Sequence, residues 1–337
     1  MKVYNLCLLG FGNVGRALVP LLVEKTDEMR GRYGVGWRVT GVATRRMGWL
    51  AAPEGFRVEE LLSGEMVQRV EPAPSNVREW LEAAGCDVLF ETTSLDVLTG
   101  EPAVAHARAA LERGAHVVTA NKGIVVHAYK ELTALARERG RRLFFESTVA
   151  DCLPVFSLFR EALPAARVLG FTGLLNSTTN VVLEEMAAGR TFEEAVGRAQ
   201  ALGVAETDPS NDLEGWDAAV KVCALANVLM GAELRPSQMT VEGITRIDPG
   251  EVARAHAAGT PYRLIAFARR DEAGAITAGV RPELIPPSHP FAAARGTSLM
   301  VNFELDVLPG LTLVAHQPSL RSTAYGLLAD FINATKE

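Results

Sequence analysis

Six residues near the N-terminus constrain the chain most. The apolar run Tyr4 to Leu9 leads straight into Gly10-Phe11-Gly12-Asn13-Val14-Gly15, and Val14, Leu18, Leu21 and Leu22 then recur at helical spacing. Strand, glycine turn and helix follow one another in the order of a dinucleotide-binding unit. The first glycine permits the tight turn, the second lets the backbone approach a pyrophosphate, and the third lets helix and strand pack closely. The helix start at Asn13 and Val14 would then face phosphate charge. A structural glycine turn is the plain alternative, and position and context favour the nucleotide.

Strand and helix patterns alternate through residue 146, which predicts a Rossmann-like, doubly wound α/β sheet covered on both faces. Gly36 to Ala43 reads as the second strand. Where an NAD site usually carries an acid for the ribose, Thr44-Arg45-Arg46 stands instead. Two guanidiniums suit a 2′-phosphate, so Arg45 and Arg46 point to NADP as the preferred cofactor, with NAD the lesser expectation. Asp87 to Ser94 reads as a buried strand ending in small polar residues. His116 to Ala120 reads as the next, followed by Asn121-Lys122-Gly123. Ligands bind at the carboxyl ends of such strands. Lys122 could hold a substrate carboxylate, stabilise developing charge, contact the cofactor or be a surface lysine in a turn. A helix is expected from His127 to Arg139 and a strand from Leu143 to Glu146.

Beyond Ser147 the alternation stops. Helices followed by grouped strands suggest a second α+β domain inserted before a final helix from Ser322. Domain bounds of 1–147 plus 318–337, and 148–317, are expected. The polar cluster Asn176 to Asn180 offers several hydroxyls and amides, or helix caps. Between Glu206 and Lys221 lie five acids (Glu206, Asp208, Asp212, Glu214, Asp217). The run Asp212 to Met230 has helical spacing, which would put Glu214, Asp217 and Lys221 on one face. Lys221 one turn after Asp217 is either a solvated i,i+4 pair or a held proton donor.

Net charge of −6, with no basic run longer than two arginines, argues against nucleic acid as a partner. Four scattered cysteines without a CxxC pair read as reduced thiols of a cytoplasmic protein, not as a zinc site. The N-terminus lacks a signal-peptide layout and no apolar run approaches membrane-spanning length, so no membrane partner is expected.

Taken together, GFGNVGRAL at 10–18, ETTS at 91–94, TGEPA at 99–103, HVVTANKG at 116–123, ESTV at 146–149, GLLNSTTN at 173–180, LGVAETDPSNDLEGWDAAVK at 202–221 and VRPELIPPSHPFA at 280–292 resemble homoserine dehydrogenase. The resemblance implies NAD(P)H-dependent interconversion of L-aspartate 4-semialdehyde and L-homoserine. It implies Lys221 as acid–base group, Asp217 and Glu206 as substrate ligands, and Lys122 between nicotinamide and substrate. Asp212 and Thr178 are further candidates for substrate binding, and Thr93 and Ala120 would line the cofactor crevice. A monovalent cation such as sodium would be held by Glu146 and the carbonyls of Val149, Asp151 and Leu153. A homodimer built on the second domain's sheet, and a short form without a regulatory domain, are also implied. A related NADP-dependent dehydrogenase of another small aldehyde, or a non-catalytic NADP-binding paralogue, are the competing readings.

Two stretches depart from the family pattern. Val149-Ala150-Asp151-Cys152 stands where a glycine-rich VGGG or VGAG is usual. His316 to Ala324 stands where GAGxxPTA is usual, and there Arg321 could add a phosphate or substrate contact.

Overall fold

The computed structural model describes residues 1–336. The chain divides into two compact units, Met1–Pro154 together with the chain from Ser319 onward, and Val155–Pro318.

The first unit opens with β1 (Lys2–Leu9), α1 (Asn13–Glu24), α2 (Thr26–Tyr33), β2 (Val35–Thr44) and β3 (Gly48–Ala51). It continues through α3 (Val58–Ser63), α4 (Val77–Ala83), β4 (Val88–Glu91), α5 (Ala103–Arg113), β5 (His116–Thr119), α6 (Lys122–Glu138) and β6 (Leu143–Phe144). The sheet order is β3-β2-β1-β4-β5-β6. The strands from β2 to β6 run parallel, and β3 is an antiparallel edge formed by a hairpin from β2. Parallel strands buried on both faces need continuous apolar sequence, and all of β4 is buried. Apolar side chains of β1, β4 and β5 meet Leu18 and Leu22 of α1 in the main core.

The second unit contains a short helical stretch α7 (Val155–Ser157), β7 (Val168–Leu174), α8 (Ser177–Ala187), α9 (Phe192–Ala201), α10 (Ser210–Leu213), α11 (Trp216–Leu229), β8 (Thr240–Val241), α12 (Pro249–Ala257), β9 (Tyr262–Arg270), β10 (Ile276–Leu284), β11 (Leu299–Leu305) and β12 (Leu311–Ala315). Its sheet runs β12-β11-β7-β9-β10-β8, antiparallel except for β10 with β8. Helices α8 and α11 pack on β9. The last helix, α13 (Leu320–Thr335), belongs to the first unit, where it lies beside α1. Its Phe331 is fully buried, with ring centroids 6.0 Å from Tyr4 and 5.8 Å from Phe90.

Several expectations need correction. The first division falls after Pro154, not after residue 147, because Ser147 and Asp151 bond to α13. The helix expected from Asp212 to Met230 breaks at Gly215, whose φ of 89° is left-handed. Glu214 therefore precedes α11 and does not share a helical face with Asp217 and Lys221. Lys122 starts a helix, since Asn121 caps it by accepting from Gly123 N at 2.9 Å. The strand expected over 87–94 ends at Glu91, and the final helix starts at Leu320 rather than Ser322.

Candidate active site

The turn after β1 is shaped by contact as well as by conformation. Gly10 has φ 94°, and a Cβ there would lie 2.5 Å from the Thr92 carbonyl. A Cβ on Gly15 would lie 2.7 Å from Gly10 O. Gly12 differs: nothing lies within 4 Å of the position its Cβ would take. This open flank sits at the N-cap of α1, whose first turn carries no acid and no side-chain cap. The leading N–H groups of a helix lack intrahelical partners and favour an anion. Asn13 and Val14 supply two of them, so these residues fit the pyrophosphate of a dinucleotide.

The ends of β4 and β5 are joined by a polar network around this turn. Thr92 Oγ1 donates to Gly10 O at 2.6 Å. Thr93 Oγ1 donates to the carboxylate of Glu91, which is fully buried. Thr119 Oγ1 donates to Glu91 O at 2.9 Å and accepts from Asn121 N at 2.9 Å. Asn121 Nδ2 donates to Thr93 O at 3.1 Å. Thr93, Ala120 and the half-buried Lys122 thus occupy one edge of the sheet, the carboxyl edge that carries Gly10. Glu91 and Asn121 organise that edge; their roles were missed in sequence because each depends on two strand ends meeting.

Arg45 and Arg46 lie exposed in the turn between β2 and β3. Thr44 Oγ1 shapes this turn by accepting from Met47 N at 3.0 Å. Among the described residues neither arginine forms an ion pair, and no acid stands at the end of β2.

In the loop after β6, Glu146 is buried and its N–H donates to Asp330 Oδ2 at 2.8 Å. Val149 and Leu153 are buried, and Asp151 takes φ 55°. Among the described residues no cluster of three His, Cys, Asp or Glu side chains is arranged to hold a metal. Arg321 is engaged by Glu24, at 2.6 Å, on α1.

The second unit gathers its polar groups where β7 ends. Lys221 Nζ, on α11, lies 2.9 Å from Asp217 Oδ2 and donates to Leu175 O at 2.5 Å. Both side chains are mostly buried, at 13% and 20% exposure, so the pair is not the solvated one that spacing alone permits. Asn176 joins the acids. Its Oδ1 caps α8 by accepting from Thr179 N at 2.9 Å, and its Nδ2 donates to Asp212 Oδ1 at 2.6 Å and Asp217 Oδ2 at 3.1 Å. An N–H facing one end and two carboxylates facing the other fix the amide's orientation. Thr178 Oγ1 donates to Asp212 Oδ2 at 3.1 Å. Burial, then the charge of Asp217, pushes the Asp212 carboxyl above its ordinary range, against the pull of Asn176, Lys221 and Thr178. Glu206 stands apart: it is exposed, and its backbone carbonyl accepts from Gln200 Nε2 at 3.2 Å. Asp212, Asp217, Lys221 and Thr178 are therefore brought together, and Glu206 is not bonded to them.

A glycine turn built for a dinucleotide, with a buried lysine–carboxylate network in a second unit, defines a nicotinamide-dependent oxidoreductase. A family model described as homoserine dehydrogenase, NAD binding domain, matches residues 10–146, and one described as homoserine dehydrogenase matches residues 154–332. The chain belongs to the homoserine dehydrogenase family, oxidoreductases that act on a CH–OH group with NAD(P). An NAD(+)-dependent homoserine dehydrogenase of Pseudomonas canavaninivorans is 35% identical, over 99% of this chain and 96% of that protein. A homoserine dehydrogenase of Methanocaldococcus jannaschii is 32% identical, over 99% of this chain and all of that one. A solved hyperthermophilic archaeal homoserine dehydrogenase mutant in complex with NADPH superposes with a TM-score of 0.82 at 27% identity, covering 99% of this chain and 98% of that one. No helix among the described residues is long and apolar enough to cross a membrane.

Proposed function

We propose that Lys221 is the acid–base group in the interconversion of L-aspartate 4-semialdehyde and L-homoserine, held for that task by Asp217. The observation that carries this reading is the position of Lys221 Nζ between Asp217 Oδ2 and Leu175 O. An ammonium has three donors. Two are taken by these partners, and the third is assigned to the substrate oxygen. The bound nicotinamide supplies or accepts the hydride. As an aldehyde is reduced, negative charge grows on its oxygen; Lys221 stabilises that charge and delivers the proton. In the reverse direction the hydroxyl proton returns to Lys221. Asp212 and Asp217, with Thr178, form an acidic cluster suited to a substrate ammonium. Glu206, with its exposed carboxylate, is assigned to the same substrate end. Thr93, Ala120 and Lys122 are assigned to the nicotinamide end of the cofactor.

Arg45 and Arg46 favour NADP, because two exposed guanidiniums at the end of β2 suit a 2′-phosphate. The relative from Pseudomonas canavaninivorans carries NAD(+) in its name, so the assay that matters compares the two cofactors. L-homoserine with NADP or NAD, followed at the nicotinamide absorbance band, should give turnover with NADP preferred. In Arg45→Ala the preference should shrink through weaker NADP binding. Turnover with NAD alone, or equal losses for both cofactors, would remove the 2′-phosphate role. Absence of turnover with either would sink the acid–base assignment.

The loop after β6 is assigned to a monovalent cation, held by Glu146 and the backbone carbonyls of Val149, Asp151 and Leu153. Asp151 keeps there the left-handed backbone that glycine adopts freely. Melting temperatures should fall when sodium is replaced by choline; identical values would count against the cation.

A further inference from the structure

The loop after β6 and the segment that opens α13 touch one another. Asp151 Oδ2 accepts from Ser322 Oγ at 3.0 Å, and Asp151 Oδ1 accepts from Thr323 Oγ1 at 3.0 Å. Ser147 Oγ adds a bond to Thr323 O at 2.8 Å. Of the three non-glycine residues with positive φ among the described residues, two, Asp151 and Gln317, lie in these stretches. Asp151 stands three residues before the chain leaves the first unit after Pro154, and Ser322 three residues after it returns at Ser319. One carboxylate thus joins the exit and return segments. The residue bearing it takes a conformation that side chains other than Asn and Asp rarely adopt.

The location gives the contact a functional meaning. Helix α13 runs opposite to the strands: Tyr4 OH, near the start of β1, donates to Thr335 O at 3.0 Å, while the loop after β6 holds Ser322 and Thr323. The first turn of α13 therefore lies at the carboxyl edge of the sheet, the edge that carries Gly10, Gly12 and Lys122. Helix and loop are in close register here, since a Cβ on Gly326 would lie 2.3 Å from Ser147 Oγ. A shift of the loop would move the helix.

We infer that Asp151 is a positioning residue for dinucleotide binding: its carboxylate clasps Ser322 and Thr323 and sets the start of α13 at the cofactor edge. The inference rests on the dinucleotide reading of this unit.

The test uses four variants: Asp151→Gly, Asp151→Asn, Ser322→Ala/Thr323→Ala, and Asp151→Gly combined with both alanines. For each, NADPH and NADH affinity is measured by fluorescence titration and the melting temperature without dinucleotide. Asp151→Gly should raise the Kd of the better dinucleotide by about three- to tenfold, a loss in the range of a shared hydrogen-bonded group. The double alanine variant should do the same, and the triple variant should be no worse than either, because partners in one network are not additive. Asp151→Asn, which tolerates left-handed backbone and keeps one acceptor oxygen, should retain most of the affinity. Wild-type affinity in Asp151→Gly, additive losses, or a lower melting temperature with unchanged Kd would overturn the inference. Failure of the unaltered protein to bind either dinucleotide would instead overturn the reading beneath it.

Discussion

Asn176 uses three of the four hydrogen bonds its amide can make, and each goes to a different part of the second unit. It starts α8, separates two carboxylates that repel, and presents Asp217 to Lys221. Replacing Lys221 by alanine should lower kcat by about 10²–10⁴, the usual worth of a positioned proton donor, with the dinucleotide Kd unchanged in a titration. Retained turnover would end the acid–base role. Asn176→Ala should raise the KM for homoserine and cost about 1–2 kcal/mol through the lost cap alone. An unaltered KM would make Asn176 only a cap. The lysine and Asp217 were legible in sequence because i,i+4 spacing on one helix brings them together whatever the fold. Asn176 was not, since its acids are 36 and 41 residues away. Nor could sequence spacing separate Glu206 from the bonded acids, because exposure depends on how the loop before α10 lies.

At the scale of elements, Gly215 decides where the acids point. Apolar spacing continues across it, so the sequence reads as one helix, yet its left-handed φ ends α10 and starts α11 afresh. A Cβ there would lie 3.2 Å from both Val241 Cγ1 and Val280 Cγ1. Gly215→Ala should destabilise the protein by about 1–3 kcal/mol, read as a lower urea midpoint; an unmoved midpoint would mean that the turn adapts. Patterns that repeat over several turns or a whole buried strand, as in α1 and β1, were readable. Four-residue β3 was not, because so short a strand is defined by its pairing with β2 rather than by its own pattern. The early start of α6 was hidden too: its helix bends at Ala128, where φ is −139°, so the apolar period changes partway along.

At the scale of the whole molecule, the alternation of strand and helix told the two units apart, and the exact crossing at Pro154 awaited the contacts of the loop with α13. Stability with pH belongs to this scale. His116 is held neutral: burial first, then Arg141, Lys2 and Arg142, lower its pKa from 6.5 to about 4. Its Nδ1 faces the Arg142 N–H at 3.1 Å, a contact open to the unprotonated ring. The unfolded chain therefore takes up a proton before the folded one does. The contribution of His116 is complete above pH 6.5 and is lost as pH falls towards about 4. Urea midpoints should drop over that window and drop less in His116→Gln; parallel curves would assign the acid loss to other groups. A last consequence follows from α13, which covers Leu6, Leu8 and Phe90 beside α1. During synthesis the dinucleotide unit begins first and is completed last. Its apolar face waits uncovered while the whole of residues 155–318 emerges, and the second unit, continuous in sequence, has its entire chain available before its older neighbour does.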